Sequence, residues 1–349
     1  MWRRDRDGRN HAQATLWSRF RRNRLARLSA WLLGILLLTS IITLPYALKW
    51  HNVQSLSLAV RHPPSITPVV PLSRYTSLAM IRGAASEVGP RDGGIVAKLA
   101  PIAHRLVSAM GHDDLGRSLF YRVWPALLIS LAIGLAAAVI AVVIGTAWGA
   151  IAAFAGGRVD MIMMRIVDVL YGLPYILMVI LLKTALTRPL TALLGGHTRY
   201  ADIVILFVAI GGVSWLTMAR VVRGQVLSLR AEPFVEAARA LGAGPVHILR
   251  CHILPNLVGP IVVCATLVVP QAVLQEAFLS FLGIGVPQPS PSLGRLAADG
   301  VEAVNMFVSY WWLLVFPCGV LVLMLVALNF IGDGLRDALD PKSATVPLV

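Results

Sequence analysis

The sequence is short of charge, of paired cysteines and of every compact signature of catalysis. Only 14% of its 349 residues are charged, against about a quarter in an ordinary soluble domain, which excludes a water-soluble globule of this length. Three cysteines, Cys251, Cys264 and Cys318, are scattered without a CxxC spacing. They support neither a disulfide framework nor a zinc site. No GxxxxGK[ST] run occurs, so ATP is not held in the P-loop manner, and no HExxH pair marks a zinc hydrolase. His247 and His252 stand five apart, on different faces of a regular helix, and predict no metal site. A Ser-His-Asp set on one face, an isolated pair of carboxylates and an internal repeat are missing too.

What the chain has in abundance is apolar length. It is 57% hydrophobic with a mean hydropathy of +0.74, and its apolar residues gather in runs long enough to cross a hydrocarbon core of about 30 Å. The expected fold class is all-α, a polytopic membrane protein of six spans. The spans are predicted at 29–48, 124–154, 160–184, 202–222, 256–284 and 307–331. The first run is about twice as long as the apolar part of a signal peptide and has no small-x-small cleavage pattern after it, so it reads as an uncleaved span.

A basic tail of residues 1–28, with nine arginines from Arg3 to Arg27, precedes the first span at 29–49. A proline-bearing mixed segment, 50–120, separates that span from a core at 121–331, which contains a polar loop at 223–254. A tail at 332–349 follows. The net charge of +14 does not interleave with aromatics on a compact domain, so nucleic acid is not an expected partner. The basic residues flank the spans instead. The short loops on the side of both termini hold 17 Lys and Arg, those on the other side 4. Cationic loops stay in the cytoplasm, which predicts cytoplasmic termini and an extracytoplasmic 50–120 segment.

Several spans carry helix breakers: Gly172 and Pro174, Pro260 and Pro270, Pro317 and Gly319. Each proline removes a backbone donor and crowds the preceding turn, so kinks are expected. Gly145 and Gly149 form a small-xxx-small spacing that lets another helix approach closely. Arg165 and Asp168, three apart, are expected to share a face and pair. A lone charge at mid-membrane costs about 2.5–3.5 kcal/mol, so both should face the bundle. Glu276, beside Gln271 and Gln275, is expected to bond a neighbouring helix or to line the path. Asp113 and Asp114 are good N-cap residues and predict the start of an interfacial helix.

The most informative stretch runs from Ala231 to Pro255. Pro233 suits a first helical position, Gly242 a left-handed stop, and Gly244-Pro245 a restart. Local rules thus predict a short helix, a tight turn and a second helix, with Ala237, Ala238 and Ala240 leaving the first helix thin. From the residues alone, a structured polar loop is an equally good reading.

The run Glu236-Ala237-Ala238, with Gly242 and Ile253-Leu254-Pro255, resembles the "EAA" loop in membrane subunits of ABC importers. More closely, the chain resembles the C-type permease subunit of the dipeptide/oligopeptide importer family. The likeness includes Asp113-Asp114-Leu115-Gly116-Arg117, Gly156-Gly157-Arg158-Val159-Asp160, Met164-Arg165-Ile166-Val167-Asp168 and His252-Ile253-Leu254-Pro255-Asn256. It extends through Glu276 to Gly283, Trp311-Trp312, and Gly332 to Pro341, and spans about residues 110–342. Where the family usually has Gly-Thr-Asp-Asp, this chain reads Gly111-His112-Asp113-Asp114.

The resemblance implies a type I importer permease (MetI-like) fold in a bacterial inner membrane. It also implies a docking, or coupling, helix carrying Glu236, Ala237, Ala238, Arg239 and Gly242. Implied partners are a second permease, two ABC ATPases that bind ATP and Mg, an extracytoplasmic substrate-binding protein, and lipid. This chain itself is then non-catalytic and holds no cofactor. Peptides are the expected cargo, with nickel chelates or glutathione as alternatives. Two other function classes compete: an ion-coupled transporter using Arg165, Asp168 and Glu276, and an intramembrane enzyme.

Overall fold

The computed structural model describes residues 23–50, 63–64, 109–113, 116–193, 198–286, 290–304 and 309–339. Most of the tail at 1–28 and of the segment at 50–120, Asp114 included, lies outside these, as does 340–349. The described residues fall into two compact units. One is drawn from Met1–Leu37, Ile129–Pro287 and Val322–Val349, the other from Leu38–Leu128 and Gln288–Leu321.

The chain is helical, in this order: α1 Arg24–Trp50, α2 Leu119–Ala155, α3 Gly157–Tyr171, α4 Tyr175–Leu193, α5 Thr198–Arg230, α6 Pro233–Ala240, α7 Pro245–Phe281, α8 Leu293–Ala303 and α9 Trp311–Leu339. Six of these are long and apolar enough to cross a membrane: α1, α2, α4, α5, α7 and α9. Most outrun the predicted spans, because helical hydrogen bonding continues where apolarity stops. α5 thus reaches Arg230, which shortens the 223–254 loop, and α9 runs to Leu339, into the predicted tail. α7 continues through Pro260 and Pro270, and α9 through Pro317.

The third span needs a correction. Hydropathy merged 160–184, but the helix stops at Tyr171 and restarts at Tyr175. Gly172 closes α3 with its N–H on the Asp168 carbonyl at 3.0 Å, and Leu173, the residue before Pro174, is biased away from helical backbone, which favours a break there. α3 is amphipathic with Val167 buried, and of the two helices only α4 is by itself long and apolar enough to cross a membrane.

Glycines set the closest approach in the larger unit. A Cβ on Gly145 would lie 2.5 Å from Met218 Cβ, and one on Gly149 would lie 2.4 Å from the Ala219 carbonyl oxygen. The expected small-residue seam is therefore the α2–α5 contact. Ile133, Ala137, Leu206, Ala209, Ile210, Val213, Ala272 and Leu279 form the core between α2, α5 and α7.

In the smaller unit, Asp113 corrects a second expectation. It does not cap a helix: α2 begins at Leu119, and the Asp113 carboxylate is enclosed. It accepts from the Arg117 backbone N–H at 2.8 Å, Arg117 Nε at 2.7 Å and Arg122 Nη1 at 2.7 Å. Gly111 and Gly116, at φ 78° and 68°, allow the tight loop that returns Arg117 to Asp113. Arg122 also reaches Asp299 at 3.5 Å, and Arg295 reaches Asp299 at 3.0 Å.

Candidate functional site

α6 is short because its ends are specified locally. Pro233 occupies the first turn, where its missing N–H costs nothing. At the far end, the Gly242 N–H bonds the Arg239 carbonyl at 2.9 Å and the Ala243 N–H bonds the Ala238 carbonyl at 3.0 Å. With Gly242 at φ 82°, this is a Schellman stop. No atom lies within 4 Å of a Cβ placed on Gly242, so the backbone alone demands glycine there. Gly242→Val should cost about 1–2 kcal/mol of local stability, and Gly242→Asn a fraction of that. Hydrogen exchange at the Gly242 and Ala243 amides reads the difference. Unchanged exchange in the valine variant would show that the turn tolerates another conformation.

The helix is anchored on one side only. Val235 and Ala238 are buried with Ile248, Ile253 and Leu257, against Ala150, Ala153, Met218, Val222 and Val226. Glu236, Ala237, Arg239 and Ala240 are exposed, and Leu241 at the tip is 89% exposed. Of the five expected docking residues, Ala238 therefore faces inward and the other four outward. Arg230, at the end of α5, steadies this end of the bundle by donating to the carbonyls of Ala153 at 2.7 Å and Phe154 at 3.2 Å. These are last-turn carbonyls of α2, where a cation also meets the negative end of the helix dipole.

A π-turn at Leu249–Ile253 opens α7. It widens the helical repeat, so residues five apart align. The rings of His247 and His252 consequently stand 6.0 Å apart and edge to face, on one face and not on two as a regular helix predicts. Cys251 Sγ lies 3.7 Å from His247 Nδ1.

The charges of α3 and α5 are brought together differently from expectation. Asp168 does not pair with Arg165. It accepts from Arg220 Nη2 of α5 at 2.9 Å, and the same guanidinium lies over the Tyr171 ring, 4.0 Å from its centroid. One turn further along α5, Arg223 makes a two-pronged contact with Asp160, at 2.6 Å on each oxygen. These bonds hold the Asp160 carboxyl below its ordinary value. The two arginines dock α3 on α5. Arg165 lines a cavity of about 500 Å³ with Met161, Met164, Asp168, Arg220 and Arg223.

Glu276 is fully buried. It accepts from Ser130 of α2 at 2.9 Å and from Ser280, four residues on, at 2.7 Å. Hydrogen bonding to a neighbouring helix, one of its two expected roles, is what the geometry provides.

A second cavity, of about 370 Å³, opens where α3 breaks. Tyr171, Tyr175, Ser214, Thr217, Gln271 and Gln275 supply its polar lining, with Val213, Leu216 and Val268 among its apolar walls. The Tyr175 hydroxyl and Gln275 Oε1 are buried there without a hydrogen-bond partner among the described residues, a cost of about 1–3 kcal/mol each. Sequence reasoning singled out neither Tyr175 nor the Arg223 and Arg230 contacts, which depend on distant chain segments. The break at Gly172-Pro174 and the glutamines beside Glu276, Gln271 and Gln275, were the local signals near this cavity.

Residues 145–345 match the family described as binding-protein-dependent transport system inner membrane component. Residues 14–64 match the N-terminal TM domain of oligopeptide transport permease C. The oligopeptide transport system permease protein OppC of Bacillus subtilis is 47% identical over 66% of this chain and 71% of its own length. The dipeptide transport system permease protein DppC of Lactococcus lactis is 32% identical over 94% of this chain and 90% of its own. Among solved structures, a chain of the MetNI methionine ABC transporter, inward facing, superposes with a TM-score of 0.50 at 21% identity. It covers 64% of this chain and 98% of that one, and at that identity it speaks for the MetI-like fold. With two thirds of its length aligned at such identity, and its six apolar helices, this chain belongs to the family of binding-protein-dependent transport system inner membrane components.

Proposed function

We propose that this chain is the membrane-spanning permease subunit of an ATP-driven peptide importer, moved by a separate ATPase that docks on α6. The cargo class follows from the relatives, which are named as oligopeptide and dipeptide transport permeases. The observation that carries the coupling is the one-sided anchoring of α6. Val235 and Ala238 hold it to the bundle, while Glu236, Ala237 and Arg239 face away. A thin helix with an apolar foot and a polar outer face is suited to a groove on another protein. Its foot packs in one apolar cluster with residues of α2, α5 and α7, so a push on it bears on a core that three spans share.

The partners are a second permease, a pair of ABC ATPases carrying ATP and Mg, and a substrate-binding protein at the opposite face. The excess of Lys and Arg beside α6 and at both termini supports a cytoplasmic side for all three.

Glu236→Lys tests the reading. The substitution reverses a charge on the outer face without touching Val235 or Ala238. Membrane insertion should be unchanged, while ATPase co-purification and peptide uptake should both fall by roughly tenfold or more. Wild-type values of both would remove the coupling role from α6.

A further inference from the structure

We propose that the 370 Å³ cavity at the α3–α4 break is where this subunit holds peptide in transit. It would do so by pairing with main-chain amides and not by reading side chains or charged ends. The proposal rests on the importer reading above and names the cargo chemistry of that same path.

Four helices build the cavity, through three local devices. Tyr171 and Tyr175 flank the break that Gly172 and Pro174 create. Ser214 and Thr217 lie three apart on α5, and Gln271 and Gln275 four apart on α7, so each pair shares a helix face. Discontinuous helices of this kind border binding sites in transporters, because irregular backbone at membrane depth is tolerated only beside protein or a water-filled path. The volume falls within the range of small-ligand sites, about 300–1,000 Å³.

Two of the lining groups are not occupied in holding the fold. The Tyr175 hydroxyl and Gln275 Oε1 are both buried in this cavity, and neither has a hydrogen-bond partner among the described residues. Ser214 donates to the Ile210 carbonyl at 2.9 Å, which leaves its oxygen lone pairs to accept. A buried polar group left unpaired is costly enough that each one calls for an explanation. A passing ligand supplies it.

The ligand's class follows from what is and is not there. Among the described residues, no Asp, Glu, Lys or Arg lines the cavity, so these residues offer no ion pair to a charged terminus, an acidic or basic side chain, or a coupling cation. The charged groups are gathered instead in the cavity of Arg165, Arg220 and Arg223. A carboxamide accepts from an N–H and donates to a C=O, and hydroxyls do both as well. That set matches the peptide bond, which every peptide contains whatever its side chains. A main chain leaving water needs such partners at every residue. A few neutral hydrogen bonds meet that need without trapping the cargo, as passage demands.

The test uses the whole complex in proteoliposomes, with ATPases, second permease and binding protein. Uptake of Ala-Ala-Ala and Ala-Glu-Ala is compared in wild type, Gln275→Leu and Tyr175→Phe. Each variant should lower uptake of both peptides by a similar factor, about tenfold for a lost hydrogen bond in a dry site, with ATPase co-purification unchanged. Uptake within twofold of wild type in Tyr175→Phe overturns the proposal. That variant loses a single oxygen atom, so it decides the matter even where Gln275→Leu fails to assemble. A loss confined to one of the two peptides overturns it as well, since the site would then be reading side chains. If the wild-type complex takes up neither peptide, the importer reading itself fails, and the two failures are told apart by that control.

Discussion

Asp113→Ala is expected to destabilise the protein by about 3–5 kcal/mol, the cost of leaving buried charge uncompensated. Three donors converge on this one carboxylate: the Arg117 N–H, Arg117 Nε and Arg122 Nη1. The side chains of Asp113, Arg117 and Arg122 are only 8%, 10% and 5% exposed. Removing the anion therefore strands two guanidinium groups away from water. Asp299 compensates in small part, at 3.5 Å from Arg122. Burial also shields the cluster from salt, so the loss should persist at high ionic strength, unlike that of a surface pair. Unfolding of the purified subunit in detergent, at low and high salt, measures it. A loss under about 1 kcal/mol would place the cluster with ordinary surface pairs.

Gly149→Leu is the second large effect, about 3 kcal/mol, at the top of the range for overpacked interiors. Even the first added carbon meets the Ala219 carbonyl oxygen at 2.4 Å and the Arg223 nitrogen at 3.0 Å. Both are backbone atoms of α5 and cannot rotate aside, so α2 and α5 must separate. The separation would disturb Ala150, Ala153, Met218 and Val222, the residues on which the foot of α6 rests. Loss of ATPase co-purification should accompany the loss of stability. Gly224→Ala is the control, because nothing lies within 4 Å of a Cβ there. A helix-interior alanine is favoured over glycine by about 0.5–1 kcal/mol, so this variant should be neutral or stabilising in the purified subunit. Equal behaviour of the two variants would refute a tight seam at Gly149.

The short helix α6 was readable almost residue by residue. Pro233, Gly242 and the Gly244-Pro245 restart act through their own backbone torsions and missing donors, and these depend on near neighbours alone. The same holds for the six spans, whose apolar length is a property of consecutive residues. Hydropathy failed at the third span because an average over 160–184 cannot separate an amphipathic α3 from an apolar α4. The two glycines of the seam announced a close contact but not its partner.

Sequence alone therefore determined the membrane class, five of the six apolar helices and the turn at Gly242, all set by short-range bonding and side-chain apolarity. Only the tertiary structure decided which charges meet. Asp168 finds Arg220 at a separation of 52 residues, Asp160 finds Arg223 at 63, and Glu276 finds Ser130 at 146. Spacing made Arg165 an equally good partner for Asp168. Packing of α3 on α5 brought a different guanidinium within 2.9 Å, and electrostatic attraction depends on that distance in space, not on position along the chain.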